Sequence, residues 1–168
     1  METTISILFH EITHFYIRSY FHEIPQAINE GLSGYLETCE FKFGNPEFNL
    51  VNLPYQKELQ LMVKNNSFLP IEKLLSISGY NLGAVNETFG VEKYSQSWYL
   101  VWYCLNDKAL KPLFSEYIEF IRNNNDSKGE HFIDIVVKPG LDFSQKWISY
   151  IPKLTDRKNS KTSKNVSF

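Results

Sequence analysis

Two histidines and a glutamate near the start of the chain have the residue types and the spacing of a metal-binding motif. His10, Glu11 and His14 form the pattern HExxH. On an α-helix, residues four apart lie on one face, so His10 and His14 could present both imidazoles to one metal ion. Glu11 follows the first histidine directly, and its carboxylate could reach a water molecule on that metal. The pattern predicts a zinc site with one open coordination position.

A second segment, Asn29-Glu30-Gly31, supplies the expected third ligand. Catalytic zinc sites use three protein ligands, and two histidines with one glutamate are an established set. We therefore expect Glu30 to join His10 and His14, although a solvated helix glutamate would have the same pattern. Glu37 lies two turns later on the same face, where it is either a group that orients a ligand histidine or a plain surface carboxylate. The connection between the two segments holds two further candidate ligands, His22 and Glu23.

The chemistry expected of this group is the hydrolysis of a peptide bond. Zinc lowers the pKa of a bound water molecule toward neutrality. Glu11 would accept a proton as the water attacks a peptide carbonyl and would then pass it to the leaving amine. A second electrophile is usually needed for the developing oxyanion. Tyr94 and His131 are the candidates for this role, and an ordinary core tyrosine is the alternative interpretation of Tyr94.

Helices are expected to position these residues. Apolar residues at helical spacing predict a first helix that ends near Tyr20, and Pro25 fits the first turn of a second helix that carries Glu30. Two glycines in the second helix, Gly31 and Gly34, would each weaken it by ~1 kcal/mol relative to alanine. Glycine is expected there if another backbone approaches closely. The apolar positions of the first helix are Ile5, Leu8, Ile12, Phe15 and Tyr16.

The rest of the chain is also expected to be mostly helical, and the predicted fold class is mainly α with little or no β-sheet. The segment 91–105 is apolar almost all round, which predicts a central helix. One run, 131–137, could be a strand. The other expected helices are 55–64, a short one from Pro70, 109–122 and 143–151, and the expected irregular segments are 40–54, 79–90 and 123–129.

Composition limits the class of protein. A length of 168 residues is about one domain, and a hydrophobic content of 43% is enough for a core. The net charge of −2 gives no sign of a nucleic-acid partner. No run is long enough to span a bilayer and no secretory signal is recognisable, so a cytoplasmic location is expected if the chain is complete. We expect one helical domain at 1–152 and a basic, disordered tail at 153–168.

Three segments together resemble the gluzincin zinc metallopeptidases of the MA-like superfamily, and in particular a bacterial peptidase-like branch. They are the HExxH segment 10–14, the proline-led helix 25–37 and the segment Tyr94-Ser95-Gln96-Ser97-Trp98. Residues 69–75 look like the intervening helix of that branch, so the resemblance covers about 4–105. It implies a helical catalytic subdomain, zinc bound by His10, His14 and Glu30, and a peptide or protein substrate.

Of three features that differ from that family, the missing sheet bears most on peptidase activity. Gluzincins usually place a twisted β-sheet before the HExxH helix, whereas only nine residues precede His10 here. We therefore expect either that the sheet is lost or that the chain is a fragment. A missing sheet would leave an apolar helix face that a partner chain could cover. The alternative function is an inactive or truncated peptidase-like remnant that holds zinc or acts as a helical interaction module.

Overall fold

The computed structural model describes residues 2–48, 51–77, 90–140 and 142–151. Within these residues the fold is mainly helical, as the sequence predicts. The helices are α1 (Glu2–Tyr20), α2 (Gln26–Glu37), α3 (Leu53–Asn65), α4 (Ile71–Leu75), α5 (Val91–Asn106), α6 (Leu110–Ile121), α7 (Glu130–Phe132), a π-helical turn (Ile133–Val137) and α8 (Phe143–Tyr150). Strands β1 (Glu40–Lys42) and β2 (Asn45–Glu47) form an antiparallel hairpin in which Glu40 pairs with Glu47.

Helix α5 is the centre of the fold. All of its residues from Ser95 to Cys104 are buried, and α2, α3 and α6 pack against it. Apolar residues surround the helix on every side, so it can bury side chains against several neighbours at once. This confirms the central position that the sequence predicts. The aromatic rings of Tyr99 and Trp147 are stacked at 5.9 Å, which joins α8 to the same core.

Helices α2 and α5 approach each other closely at Gly31. A Cβ atom at this position would lie 2.3 Å from the backbone oxygen of Ser97 and 2.6 Å from a methyl carbon of Val101. Only glycine leaves room for that backbone contact. At Gly34 a Cβ atom would make ordinary contacts, the nearest at 3.4 Å from Trp98. The expected close approach is therefore confirmed at Gly31, and Gly34 has no such requirement.

Helix α1 packs mainly against α2 and presents opposite faces to α2 and to solvent. Thr13 and Ile17 are buried on the face toward α2. The apolar residues at helical spacing, which we call the apolar stripe, lie on the other face. Their exposure runs from 42% at Ile12 to 73% at Phe15. The stripe consists of Ile5, Leu8, Ile12, Phe15 and Tyr16. The spacing thus predicts the helix correctly, while the apolar side is not the side that packs.

Two local predictions are wrong. Part of the segment 40–54, expected to be irregular, forms the β1–β2 hairpin. The segment 131–137, expected as a strand, is helical, because Phe132 and Val136 are four residues apart and are buried together. Most of the expected loop at 79–90 and the expected tail at 153–168 lie outside the described residues. Among the described helices, none combines the length and the apolar character needed to cross a bilayer.

Candidate metal centre

Helices α1 and α2 bring His10, His14 and Glu30 together. One ligand atom from each residue lies within 4.8 Å of the others. The Nε2 atoms of His10 and His14 are 3.3 Å and 3.4 Å from Oε2 of Glu30. The two histidines share one face of α1 because they are one helical turn apart. This group could hold a metal ion, and it contains the three ligands that the HExxH and NEG segments predict.

The second nitrogen of each histidine is held by a residue of α2. Nδ1 of His10 lies 3.1 Å from Oε2 of Glu37. Nδ1 of His14 lies 2.9 Å from Oδ1 of Asn29 and 3.0 Å from the hydroxyl of Ser33. Carboxylate and amide oxygens only accept hydrogen bonds, so both imidazoles carry a proton on Nδ1. Both Nε2 atoms are then able to coordinate a metal, which is how the outer contacts of metal-binding histidines usually work.

Glu30 is a buried carboxylate, and one of its two oxygens makes ion-pair contacts with the imidazoles but no hydrogen bond within the described part of the chain. Its exposure is 6%. Oε1 accepts a hydrogen bond of 2.6 Å from Nε2 of Gln26. Oε2 has no hydrogen-bond partner among the described residues, although it faces both imidazoles. A buried charged oxygen that makes no hydrogen bond is unfavourable. A cation between Oε2 and the two Nε2 atoms would satisfy it, so the donor set fits a metal ion.

The charges of the group shift its pKa values strongly. The carboxylate of Glu30, followed by that of Glu37, raises the pKa of His10 to about 9 against the effect of burial. Glu30 also raises the pKa of His14. Burial alone would raise the pKa of Glu30, but the two imidazoles lower it to about 2. At neutral pH and without metal, a protonated histidine therefore faces an ionised glutamate, and a metal ion must displace that proton to bind.

A cavity of about 250 Å³ opens beside the ligands. Glu11 and Tyr94, the predicted base and electrophile, both line it. Burial raises the pKa of Tyr94, and the nearby carboxylates of Glu30 and Glu11 raise it further. The two predicted catalytic side chains and one predicted ligand, His10, thus line the same cavity. The cavity is lined by Ile7, His10, Glu11, Glu37, Tyr55 and Tyr94.

Three other candidates lie elsewhere. His131 stacks on Phe120 with 4.3 Å between ring centroids, and its Nδ1 is 3.4 Å from the buried carboxylate of Asp126. It does not line the cavity, so it is not placed to serve as the second electrophile. The side chains of His22 and Glu23 are exposed, and neither joins the ligand group.

Four residues around the site are missed by sequence reasoning. Gln26 holds Glu30, Asn29 and Ser33 contact His14, and Tyr55 lines the cavity. Gln26 and Ser33 stand four residues before and three residues after Glu30, so both share its face of α2. That spacing is a signal that could have identified them. Tyr55 comes from α3, and only the packing of α3 on the core brings it to the cavity.

Comparison with protein-family models, with curated proteins and with solved structures finds no significant match. The candidate metal centre therefore stands on the residues of this chain and on their geometry.

Proposed function

We propose that this chain is a zinc-dependent metallopeptidase that hydrolyses peptide bonds. The observation that carries the proposal is the convergence of two imidazole Nε2 atoms on one buried carboxylate oxygen of Glu30 that makes no hydrogen bond to any described residue. Two histidines, one carboxylate and a free position form a catalytic zinc site. The same donors also suit iron(II). Zinc is favoured because Glu11 lines the adjoining cavity, where a hydrolytic site needs a base. The resemblance to gluzincins agrees with this choice.

Each residue of the site would have its own role in the reaction. When bound to His10, His14 and Glu30, zinc supplies Lewis-acid chemistry that makes water reactive at neutral pH and polarises a carbonyl. Glu11 accepts the proton of the attacking water and delivers it to the leaving amine. Tyr94 donates its hydroxyl hydrogen to the developing oxyanion. Glu37 keeps the Nδ1 proton on His10, so that Nε2 remains a ligand.

An alternative function is a zinc-holding or helical interaction module without peptidase activity, and the apolar stripe of α1 favours it. Its five large side chains are exposed, with Phe15 at 73%. Monomeric soluble proteins rarely leave a large continuous apolar patch uncovered. In this alternative a partner chain covers the stripe, and the metal serves to join α1 to α2. A zinc-holding module would also require the metal, so peptide hydrolysis is the property that separates it from a peptidase.

The test is to purify the chain without added metal and to measure its zinc content by mass spectrometry. We expect about one zinc per chain, and its loss in His14→Ala. Glu11→Gln is the matched control on the same helix, because it removes the base and leaves the ligands. We expect this variant to keep zinc while hydrolysis of a peptide library falls at least about 100-fold.

Each result has a distinct meaning. No zinc after loading with zinc chloride would contradict the metal site. Zinc together with full activity in Glu11→Gln would contradict the role of Glu11. Zinc without any hydrolysis in the wild-type chain would contradict the peptidase proposal and favour the interaction module.

A further inference from the structure

The two oxygens of the Glu30 carboxylate have different surroundings. Oε1 accepts a hydrogen bond from Nε2 of Gln26 at 2.6 Å. Oε2 has no hydrogen-bond partner among the described residues and lies 3.3 Å and 3.4 Å from the Nε2 atoms of His10 and His14. One oxygen is therefore occupied by an amide, and only the other faces the two imidazoles.

The contact follows from the position of Gln26 on α2. Gln26 is the first residue of the helix, and Glu30 follows four residues later on the same face. Pro25 is the N-cap residue, with φ −56° and an extended ψ of 137°, so the helix begins at Gln26. The amide is a neutral donor, so it holds one oxygen while the carboxylate keeps its full negative charge.

From this geometry, the structure assigns to Gln26 the role of a positioning residue that limits Glu30 to coordination through one oxygen. This inference rests on the proposed metal site. A carboxylate coordinates through two oxygens only when both face the ion, and turning Oε1 toward the imidazoles would break its bond to Gln26. With one oxygen from Glu30, the protein supplies three ligand atoms, and the fourth tetrahedral position stays free for water or substrate.

Cobalt(II) is the probe for this role, because its visible absorption reports coordination number and is strongest for four-coordinate sites. Metal-free wild type, Gln26→Met and Gln26→Lys are each loaded with one equivalent of cobalt chloride. Gln26→Met has a similar length but donates no hydrogen bond, whereas Gln26→Lys keeps a donor. Gln60→Met is the matched control, since it makes the same substitution at an exposed position of α3. Circular dichroism confirms that each variant is folded.

We expect strong, four-coordinate absorption from the wild type, Gln26→Lys and Gln60→Met. Gln26→Met is expected to absorb several-fold more weakly, as an added oxygen raises the coordination number, and to bind cobalt about tenfold less tightly. If Gln26→Met does not fold, Gln26→Asn repeats the test, because its amide is too short to reach Oε1. A wild-type spectrum in a folded variant without the donor overturns the role of Gln26 alone. A wild-type chain that binds neither cobalt nor zinc overturns the metal site itself.

Discussion

Helix α1 packs its polar side against α2 and leaves its apolar side exposed, which is the reverse of an ordinary amphipathic helix. The inner side, toward α2, carries His10, Thr13 and His14, whereas the outer side carries the apolar stripe. An amphipathic helix usually buries its apolar side. Here polar groups can be buried because each has a partner on α2 or, for Thr13, at the backbone oxygen of Phe9. The difference teaches that periodicity identifies a helix, while specific contacts decide which side packs.

The same comparison separates the energetics of the two sides. Hydrophobic burial contributes little at the inner side, where Ile17 is the one buried apolar side chain of α1 among the described residues. The attachment of α1 to α2 therefore depends on paired charges, hydrogen bonds and the proposed metal. The outer side stays largely exposed in the described chain. Changes on the two sides should have opposite consequences for folding and for association.

The largest effect is expected where α2, which supplies the partners of the inner side, meets α5. Gly31→Ala would place a Cβ atom 2.3 Å from a backbone oxygen, and a backbone cannot move aside cheaply. We expect a loss of about 3 kcal/mol in the free energy of unfolding, measured by urea denaturation. Gly34→Ala is the control, because its Cβ atom meets nothing closer than 3.4 Å. Equal losses in both variants would contradict the close approach.

Removing the metal tests the inner side directly. Zinc at 100 times its dissociation constant should stabilise the fold by about 2.7 kcal/mol, because it binds the folded chain in preference to the unfolded one. The measurement is the urea midpoint with and without a chelator. Glu30→Gln keeps the size of the side chain but loses its charge, and it should show no zinc-dependent shift. A chelator without effect on the wild type would contradict the role of metal at the inner side.

Truncations on the two sides of α1 should differ in their effect on the free energy of unfolding. Ile17→Ala removes a side chain that is 6% exposed, and we expect a cost of about 2 kcal/mol. Leu8→Ala removes one that is 54% exposed and should change the free energy of unfolding by less than about 0.5 kcal/mol. If a partner covers the stripe, Leu8→Ala should instead weaken association, measured by light scattering. A large folding cost for Leu8→Ala would show that the outer side packs within the chain.

The last effect is a dependence of stability on pH, whose sign depends on the metal. In the metal-free chain the pKa of His10 is raised from 6.5 to about 9. Its contribution to folding stability is therefore fully present below pH 6.5 and is lost as the pH rises through 9. We expect a fall of at most about 3 kcal/mol over that range. With saturating zinc, stability should rise instead, because fewer protons compete for the ligands. Parallel thermal melts at several pH values check both signs.

The sequence predicts the ligand group well, because its members depend on local spacing. One helical turn relates His10 to His14, and the fifteen residues between His14 and Glu30 allow the chain to turn back with α2 against α1. Glu37 follows Glu30 by two turns and reaches His10 as a second contact. These relations need only helix geometry and a reversal of the chain.

What the sequence does not predict depends on packing between distant elements. Tyr55 reaches the cavity only because α3 packs on α5. The run at 131–137 has the β-branched residues of a strand, yet Phe132 and Val136 must enter the core together, which requires a helical turn. The sequence also does not predict that the apolar stripe is exposed, because spacing alone does not say which face another element covers.

Because the three candidate ligands are divided between two helices, a bound metal would join α1 to α2. Two ligands lie on α1 and one on α2, while all three tryptophans lie in the α5–α8 core. Local opening of α1 would separate the ligands without disturbing those indole rings. Tryptophan fluorescence should therefore not detect this opening, whereas amide hydrogen exchange in α1 should slow when the metal binds. The affinity for the metal should then affect how often α1 opens locally more than it affects the unfolding of the whole domain.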